Sequence, residues 1–116
     1  MAEETSLGRI EISPAAIATI ASEAVLECYG VVGMASKSPI GGLAQLLRPE
    51  RSRRGVEVRV DDHRIIVDLY VIVEYGTRIS EVAHGIMNRV KYMLEKALGV
   101  PVAEVNVHVQ GLRISD

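Results

Sequence analysis

The sequence contains no phenylalanine and no tryptophan, and its four tyrosines are scattered along the chain. Proteins that bind single-stranded nucleic acid use aromatic rings on which bases stack, and nucleic-acid-binding domains are usually basic overall. The formal net charge of this chain is −2. Both features indicate that nucleic acid is not its partner.

Cysteine and long apolar runs are equally scarce. The single cysteine, Cys28, excludes an internal disulfide. The longest strongly apolar run, from Ile65 to Val73, is interrupted by Asp68 and is far shorter than the ~20 residues of a membrane-spanning helix. The acidic first residues lack the pattern of a secretory signal. We therefore expect a cytoplasmic protein, and 116 residues with 48% hydrophobic content suffice for one domain, residues 1–116.

The first half of the chain predicts strands on either side of an amphipathic helix. Apolar residues alternate from Gly8 to Ile12, and Ser13 followed by Pro14 is typical of a helix start. The helix is expected to end near Gly30, and a short strand from Val31 then completes a β-α-β unit.

The second half predicts a hairpin, a helix and a strand. Alternating valines from Val56 lead into a turn at Asp61 to His63 and a long strand from Arg64 to Tyr75. Ser80 is predicted to cap a second helix, which ends at Leu98 to Pro101, and a last strand carries alternating valines. The order β-α-β-β-α-β predicts an α+β two-layer sandwich, with a mixed four- or five-stranded sheet and two main helices on one face.

Few side chains are placed to carry chemistry. Glu81 and His84 have a helical spacing that some bundles use for metal ligation, but bundle ligands project inward and this pair lies away from the predicted apolar arc. Cys28 falls within the apolar arc of the first helix, near its carboxyl end, where the dipole opposes a thiolate. The three histidines show no metal-ligand spacing. We therefore expect no catalytic, cofactor-binding or metal-binding residue, and a protein that is not an enzyme.

A basic segment, residues 37–55, interrupts the strand pattern. Its prolines and glycines predict a flexible loop. Arginine side chains suit carboxylates and phosphates, and neighbouring leucines favour contact with a protein partner or a membrane surface. An ordinary solvated loop has the same composition. The candidate partner interface in this loop consists of Leu43, Leu46, Leu47, Arg48, Arg51, Arg53 and Arg54.

The sheet face away from the helices is a second candidate interface. Every second residue of the long strand, beginning at Ile66, points away from the predicted core. Such a mixture of apolar and charged residues is typical of reversible interfaces, although an ordinary exposed strand face has the same character. The candidate residues of this outer sheet face are Arg59, Ile66, Tyr70, Ile72 and His108.

Four segments form an ordered combination: GRIEISPAAIATIASEAVLECYGVVGMAS, RGVEVRV, VDLYVIVEYGTRISEVAHGIMNRVKYMLEKALG and VAEVNVHVQGLRI. Within them, the Gly30–Val31 and Tyr75–Gly76 pairs, ISEVA from Ile79 and VNVHVQG from Val105 carry the pattern. Together they resemble the bacterial alkaline shock protein family, also described as Gls-type general stress proteins, in its compact single-domain branch. The match extends from Gly8 to about Ile114.

The resemblance implies a small cytoplasmic protein of Gram-positive-type bacteria, with no cofactor and no enzymatic activity. It also implies a link to cell-envelope stress, and recruitment of some members to the membrane through a membrane-anchored protein. A fatty-acid-kinase-like protein is a second implied partner, and a homo-oligomer is a further expectation. We therefore expect a non-enzymatic adaptor or scaffold in cell-envelope stress or lipid-metabolism homeostasis. The alternative is a peripheral membrane-binding module that uses the Leu/Arg-rich loop.

Overall fold

A computed structural model describes residues 2–35, 52–53 and 55–114. In chain order its elements are β1 (Ala2–Thr5), β2 (Gly8–Glu11), α1 (Pro14–Leu26), β3 (Val31–Met34), β4 (Ser52–Arg53), β5 (Val56–Asp61), β6 (Arg64–Glu74), α2 (Ile79–Leu98) and β7 (Glu104–Arg113). Two helices pack on one face of a mixed five-stranded sheet, which confirms the predicted α+β sandwich.

Strand β6 is the centre of the sheet. It pairs in parallel with β7 over Ile66 to Glu74, so β7 occupies one edge of β6 along most of its length. On the other edge, β5 pairs with the first half of β6 and β3 with the second half, both antiparallel. Strands β3 and β5 therefore follow one another along the same edge, and β4 extends the sheet beyond β5.

Gly55 lies where β3 and β5 meet. Its φ is +80°, and a Cβ added there would stand 2.8 Å from the Met34 Cβ and 2.9 Å from the carbonyl oxygens of Ala35 and Tyr70. The amide of Ala35 donates to the Tyr70 oxygen, and the Tyr70 amide donates to the Gly55 oxygen, each at 2.8 Å. Ala35 and Gly55 are thus held next to one another by hydrogen bonds to the same residue of β6, Tyr70.

The two helices and the sheet enclose a single aliphatic core. Alternate residues of β6 point at the helices and are almost completely buried, because successive side chains of a strand point to opposite faces. Apolar residues at helical spacing from α1 and α2 meet them. The main contributors are Ile17, Ala21 and Val25 of α1, Val82, Ile86, Val90 and Leu94 of α2, and Ile65, Val67, Leu69, Val71 and Val73 of β6.

Several predicted boundaries are confirmed. The Ser13 hydroxyl accepts a hydrogen bond from the Ala16 amide, as an N-cap should. Helix α2 ends at Leu98, and Gly99 adopts the left-handed conformation with φ 74°. Asp62 and His63 have φ values of 52° and 65°, the positive φ pair of a type I′ hairpin turn between β5 and β6.

The amino-terminal part differs from the prediction. Strand β2 does not join the main sheet in a β-α-β unit; it pairs with β1, which was not predicted, in a separate hairpin whose residues are all exposed. Local turn chemistry explains the hairpin, because the Thr5 hydroxyl accepts from the amides of Leu7 and Gly8.

Three further details of the prediction are wrong. Ser80 does not cap α2, which begins at Ile79 after an Arg78 cap without a side-chain hydrogen bond. Tyr75 lies beyond the end of β6 and is 64% exposed rather than part of the core. Helix α1 ends at Leu26, four residues before Gly30. Of the predicted loop at 37–55, Ser52–Arg53 form a strand and Gly55 joins the sheet, while residues 37–51 and 54 lie outside the described residues.

Candidate functional site

The outer sheet face brings three of the predicted side chains together. In the register of the sheet, Arg59 of β5 lies opposite Ile66 of β6, and Tyr70 of β6 lies opposite His108 of β7. All of these side chains point away from the helices. They surround one carboxylate, Asp68, which the sequence placed on this face without making it a candidate.

Asp68 accepts three hydrogen bonds and is only 8% exposed. Its Oδ2 accepts from the Arg59 guanidinium at 3.0 Å. Its Oδ1 accepts from the Asn106 amide at 3.2 Å and lies 3.1 Å from His108 Nε2. An ionised carboxylate can only accept, so Nε2 of His108 carries the proton. We call Arg59, Asp68, Tyr70, Asn106 and His108 the Asp68 cluster.

The electrostatics of the cluster favour the charged carboxylate. Burial alone would raise the pKa of Asp68, but hydrogen bonds from His108, Arg59 and Asn106 outweigh it and hold that pKa below its ordinary value. The same contact with Asp68 raises the pKa of Arg59. The charges of Arg59 and Asp68 therefore neutralise one another within the cluster.

An aromatic stack completes the cluster. The rings of Tyr70 and His108 lie 4.6 Å apart at their centroids with an interplanar angle of 12°. His108 is thus fixed by its ring face against Tyr70 and by its nitrogen against Asp68. The two rings form a preordered, half-exposed platform above the central strand.

The remaining candidates, Ile66 and Ile72, frame this platform. Ile66 is almost buried at one end of the face, whereas Ile72 is half-exposed at the other. In the register Ile72 lies between Gly33 of β3 and Gly111 of β7. The residues directly opposite Ile72 on both neighbouring strands are therefore glycines, which have no side chain to cover it.

Asn106 is a member of the cluster that sequence reasoning missed. It lies directly opposite Asp68 in the parallel register of β6 and β7. Alternation along β7 places Asn106 on the polar side of the strand, but which residue of a neighbouring strand it faces depends on the register. The register was not predictable from the spacing of the valines.

The other predicted interface cannot be placed. Leu43, Leu46, Leu47, Arg48, Arg51 and Arg54 lie outside the described residues, and of Arg53 only the backbone, in β4, is described.

A groove of about 640 Å³ between the end of α1 and the start of α2 is lined by Cys28 and Glu81, two of the residues considered for chemistry. Burial raises the pKa of the Cys28 thiol, which donates to the Ala24 oxygen at 3.3 Å. Glu81 pairs with Arg78 at 3.2 Å, and Glu27 pairs with Arg89 at 3.2 Å. The charges of the groove are thus matched within it, and its thiol is held in the protonated form.

Two structural findings bear on binding. Among residues 2–35, 52–53 and 55–114, no group of three or more His, Cys, Asp or Glu side chains could hold a metal ion. None of the helices described is both long enough and apolar enough to span a membrane.

Comparison with known proteins finds relatives that align with almost the whole chain. YloU of Bacillus subtilis (strain 168) is 48% identical over 113 residues, which cover 97% of this chain and 94% of YloU. Spy1614 of Streptococcus pyogenes serotype M6 is 45% identical over 111 residues, covering 95% and 92% of the two chains. Among solved structures, MamM CTD in a zinc form has a TM-score of 0.49 and 15% identity, over 87% of this chain and 85% of that one.

A family model accounts for almost the whole chain. It matches residues 2–114 and describes a family with a cell envelope-related function. The match extends over both helices and every strand described above. The resemblance seen in the sequence is thereby confirmed, and the chain belongs to the alkaline shock protein 23 family.

Proposed function

We propose that this protein is a non-enzymatic adaptor of the bacterial cell envelope that binds a protein partner through its outer sheet face. The observation that carries the proposal is the Asp68 cluster, which orders two rings, a guanidinium and an amide on a sheet face that no described element covers. The family description supports the cellular context, a cell envelope-related function.

The contacts of the cluster favour binding over catalysis. The hydrogen bonds of Asp68 join it to an arginine, an amide and an imidazole. A triad-type site needs a hydroxyl or thiol nucleophile within hydrogen-bond reach of the base. Within the described part of the chain, no hydrogen bond links His108 to a serine, threonine or cysteine side chain. An ordered platform is what such an arrangement supplies.

The charges of the face favour a protein over an anionic lipid surface. Arg59 is paired with Asp68, and Arg64 is paired with Glu104 at 3.4 Å. Binding to lipid head groups depends on an excess of cationic side chains. The outer face instead combines matched charges, the Tyr70–His108 platform and the half-exposed Ile72, as protein interfaces do.

The experiment is a capture of partners with matched variants. Ile72→Arg places a large charged side chain on the outer face, between Gly33 and Gly111, and Lys91→Glu changes a charge on the exposed side of α2. We expect one envelope protein, identified by mass spectrometry, to bind the natural chain and Lys91→Glu but not Ile72→Arg. Far-UV circular dichroism verifies that all the chains are folded.

Two outcomes contradict the proposal. A partner lost only when Arg51, Arg53 and Arg54 are changed to glutamate would move the interface to the basic segment. Salt-sensitive flotation with anionic liposomes, with no protein partner, would replace the adaptor by the membrane-binding alternative.

A further inference from the structure

Strand β7 ends the sheet on one side. Nine of its ten residues pair with β6, and in the described part of the chain no strand lies along its other edge. An unpaired edge presents a row of backbone N–H and C=O groups that is a template for another strand.

The composition of β7 does little to prevent such pairing. Proteins protect exposed edges with lysine, proline or charged side chains. In β7 the only Lys, Arg, Asp or Glu residues are its first and last, Glu104 and Arg113, and no proline lies between them. The single irregularity is a register shift opposite Val71 and Ile72, where Gln110 is an extra residue.

The core layer is also incomplete beside β7. Leu69, Val71 and Val73 of β6 are fully buried. Their register partners on β7 are Val107, Val109 and Leu112; the two valines are half-buried, and Leu112 is 47% exposed. Helix α2 packs against β7 without covering these side chains completely, so apolar surface remains beside the position that a further strand would occupy.

We propose that the edge of β7 pairs, antiparallel, with the β7 strand of a second copy of this chain, about a two-fold axis at His108. The pattern of the strand supports self-pairing. With Gln110 bulged, β7 has nine ladder positions opposite β6, and His108 is the central one. Rotation about that centre places Glu104 opposite Arg113 of the second copy at both ends of the interface.

The intervening positions match as well. Val105 meets Leu112 of the second copy, and Val107 meets Val109, so apolar residues on the helix side face one another. Asn106 meets Gly111 on the outer face, where there is room for the amide. Each pair lies on one face of the sheet, as antiparallel pairing requires. The same patch serves both copies, which closes the assembly as a dimer.

Single-cysteine variants test this register. In a Cys28→Ser background, His108→Cys would place each thiol directly opposite its copy, where antiparallel Cα atoms are about 4.5–5.5 Å apart and a disulfide can form. Asn106→Cys is the matched control, because four ladder positions, about 13 Å, would separate that residue from its copy. We expect a covalent dimer on mild oxidation with His108→Cys and not with Asn106→Cys.

A mixture of two single-cysteine variants tests the same register without substitution of His108. Asn106→Cys protein mixed with Gly111→Cys protein should give the crossed dimer, with His108 still in place. Equal cross-linking at 106 and 108 would indicate random collision. The proposal would be overturned if His108→Cys gave no cross-link and the mixed sample gave no crossed dimer. This result is expected if copies associate through the β1–β2 hairpin instead.

Charge exchange provides a second measurement. Glu104→Arg or Arg113→Glu alone opposes like charges at both ends of the interface, which should raise the dimer dissociation constant about ten-fold. The double variant restores opposite charges and should return it close to the natural value. A natural chain that sediments as a monomer, or a dimer that neither single variant weakens, contradicts the proposal.

Discussion

On one face of β6, five residues are almost fully buried beneath two helices, from Ile65 to Val73; on the other, no described element covers the strand, yet Asp68 is nearly as buried. The helix face is dry and aliphatic. The outer face buries a carboxylate by laying Arg59, Asn106 and His108 over it. One strand thus shows two ways to bury a side chain, with different energetic consequences.

The first way depends on apolar area and close packing, and the second on satisfied hydrogen bonds. Removing buried methylenes leaves a cavity in a layer that cannot fully relax. Removing a hydrogen-bond acceptor from the outer face leaves donors that water can reach from the open side. The two faces should therefore respond differently to substitution, at neighbouring positions of the same strand.

The largest difference is expected between adjacent residues. Leu69→Ala should lower the free energy of unfolding by about 3 kcal/mol, because it opens a cavity under both helices. Tyr70→Ala, one position on, removes a half-exposed ring and its stack with His108 and should cost about 1 kcal/mol. Urea denaturation of both variants measures the contrast, and equal losses would show that the outer face is packed as tightly as the core.

The second largest loss of stability is expected for a substitution of Gly55, which lies beside β6. Gly55→Ala forces a positive φ on an L residue and brings its Cβ against two carbonyl oxygens, so we expect a loss of about 2–3 kcal/mol. Gly33→Ala on β3 is the control, because nothing lies within 4 Å of the added Cβ, and it should stay within about 0.5 kcal/mol of the natural chain. Thermal denaturation compares them, and similar melting temperatures would contradict the close approach at Gly55.

The outer face should be the pH-sensitive one. Asp68→Asn removes the charged acceptor and should cost about 1.5 kcal/mol at pH 7. The folded-state pKa of Asp68 is depressed, so its contribution is complete above the unfolded value of about 3.9 and is lost as the pH falls through the folded pKa.

The stability difference between natural chain and Asp68→Asn should therefore shrink below about pH 4. Urea titrations at a series of pH values measure it, with Leu69→Ala as the pH-independent control. A difference that stays constant into acid would mean that the Asp68 carboxylate gains nothing from its three partners.

The smallest loss of stability is expected for an ion pair that is exposed to solvent. Arg78 and Glu81 are 3.2 Å apart at the start of α2 with both side chains well exposed, so Arg78→Ala should cost at most about 0.5 kcal/mol, and less in high salt. Arg59→Ala should cost more, because it removes a partner from a buried carboxylate. A larger loss for Arg78→Ala would reverse the comparison.

Periodicity predicted most of the fold because it is a local signal. Alternating valines placed β5, β6 and β7, and the Asp62–His63 turn and the Ser13 cap were visible in the residue types. Periodicity did not locate the start of α2, where more than one residue type suits a helix start. Ser80 is a good cap by composition, but Ile79 is already helical, and Thr77 instead donates its hydroxyl proton to the Glu74 oxygen at 2.7 Å.

The sequence predicted on which face of the sheet the site residues lie, but it did not predict which residues contact one another. Arg59, Tyr70 and His108 were assigned to the outer face from alternation, and the structure brings all three to Asp68. Asn106 and the central position of Asp68 depend on which residues of β5 and β7 lie opposite β6. A strand's hydrophobic pattern fixes the face of each side chain, but a shift of two residues along the strand preserves that pattern and changes every partner.

The amino-acid sequence by itself determined the two-layer class, the aliphatic face of β6 and the family. Each follows from local patterns that repeat every two or 3.6 residues, or from the order of segments along the chain. Only the tertiary structure decided that β3 and β5 share one edge of β6, that the first hairpin stands apart, and that a buried carboxylate gathers an arginine, an amide and an imidazole. These features join residues up to 40 positions apart, and the register that joins them is set by the packing of the whole core.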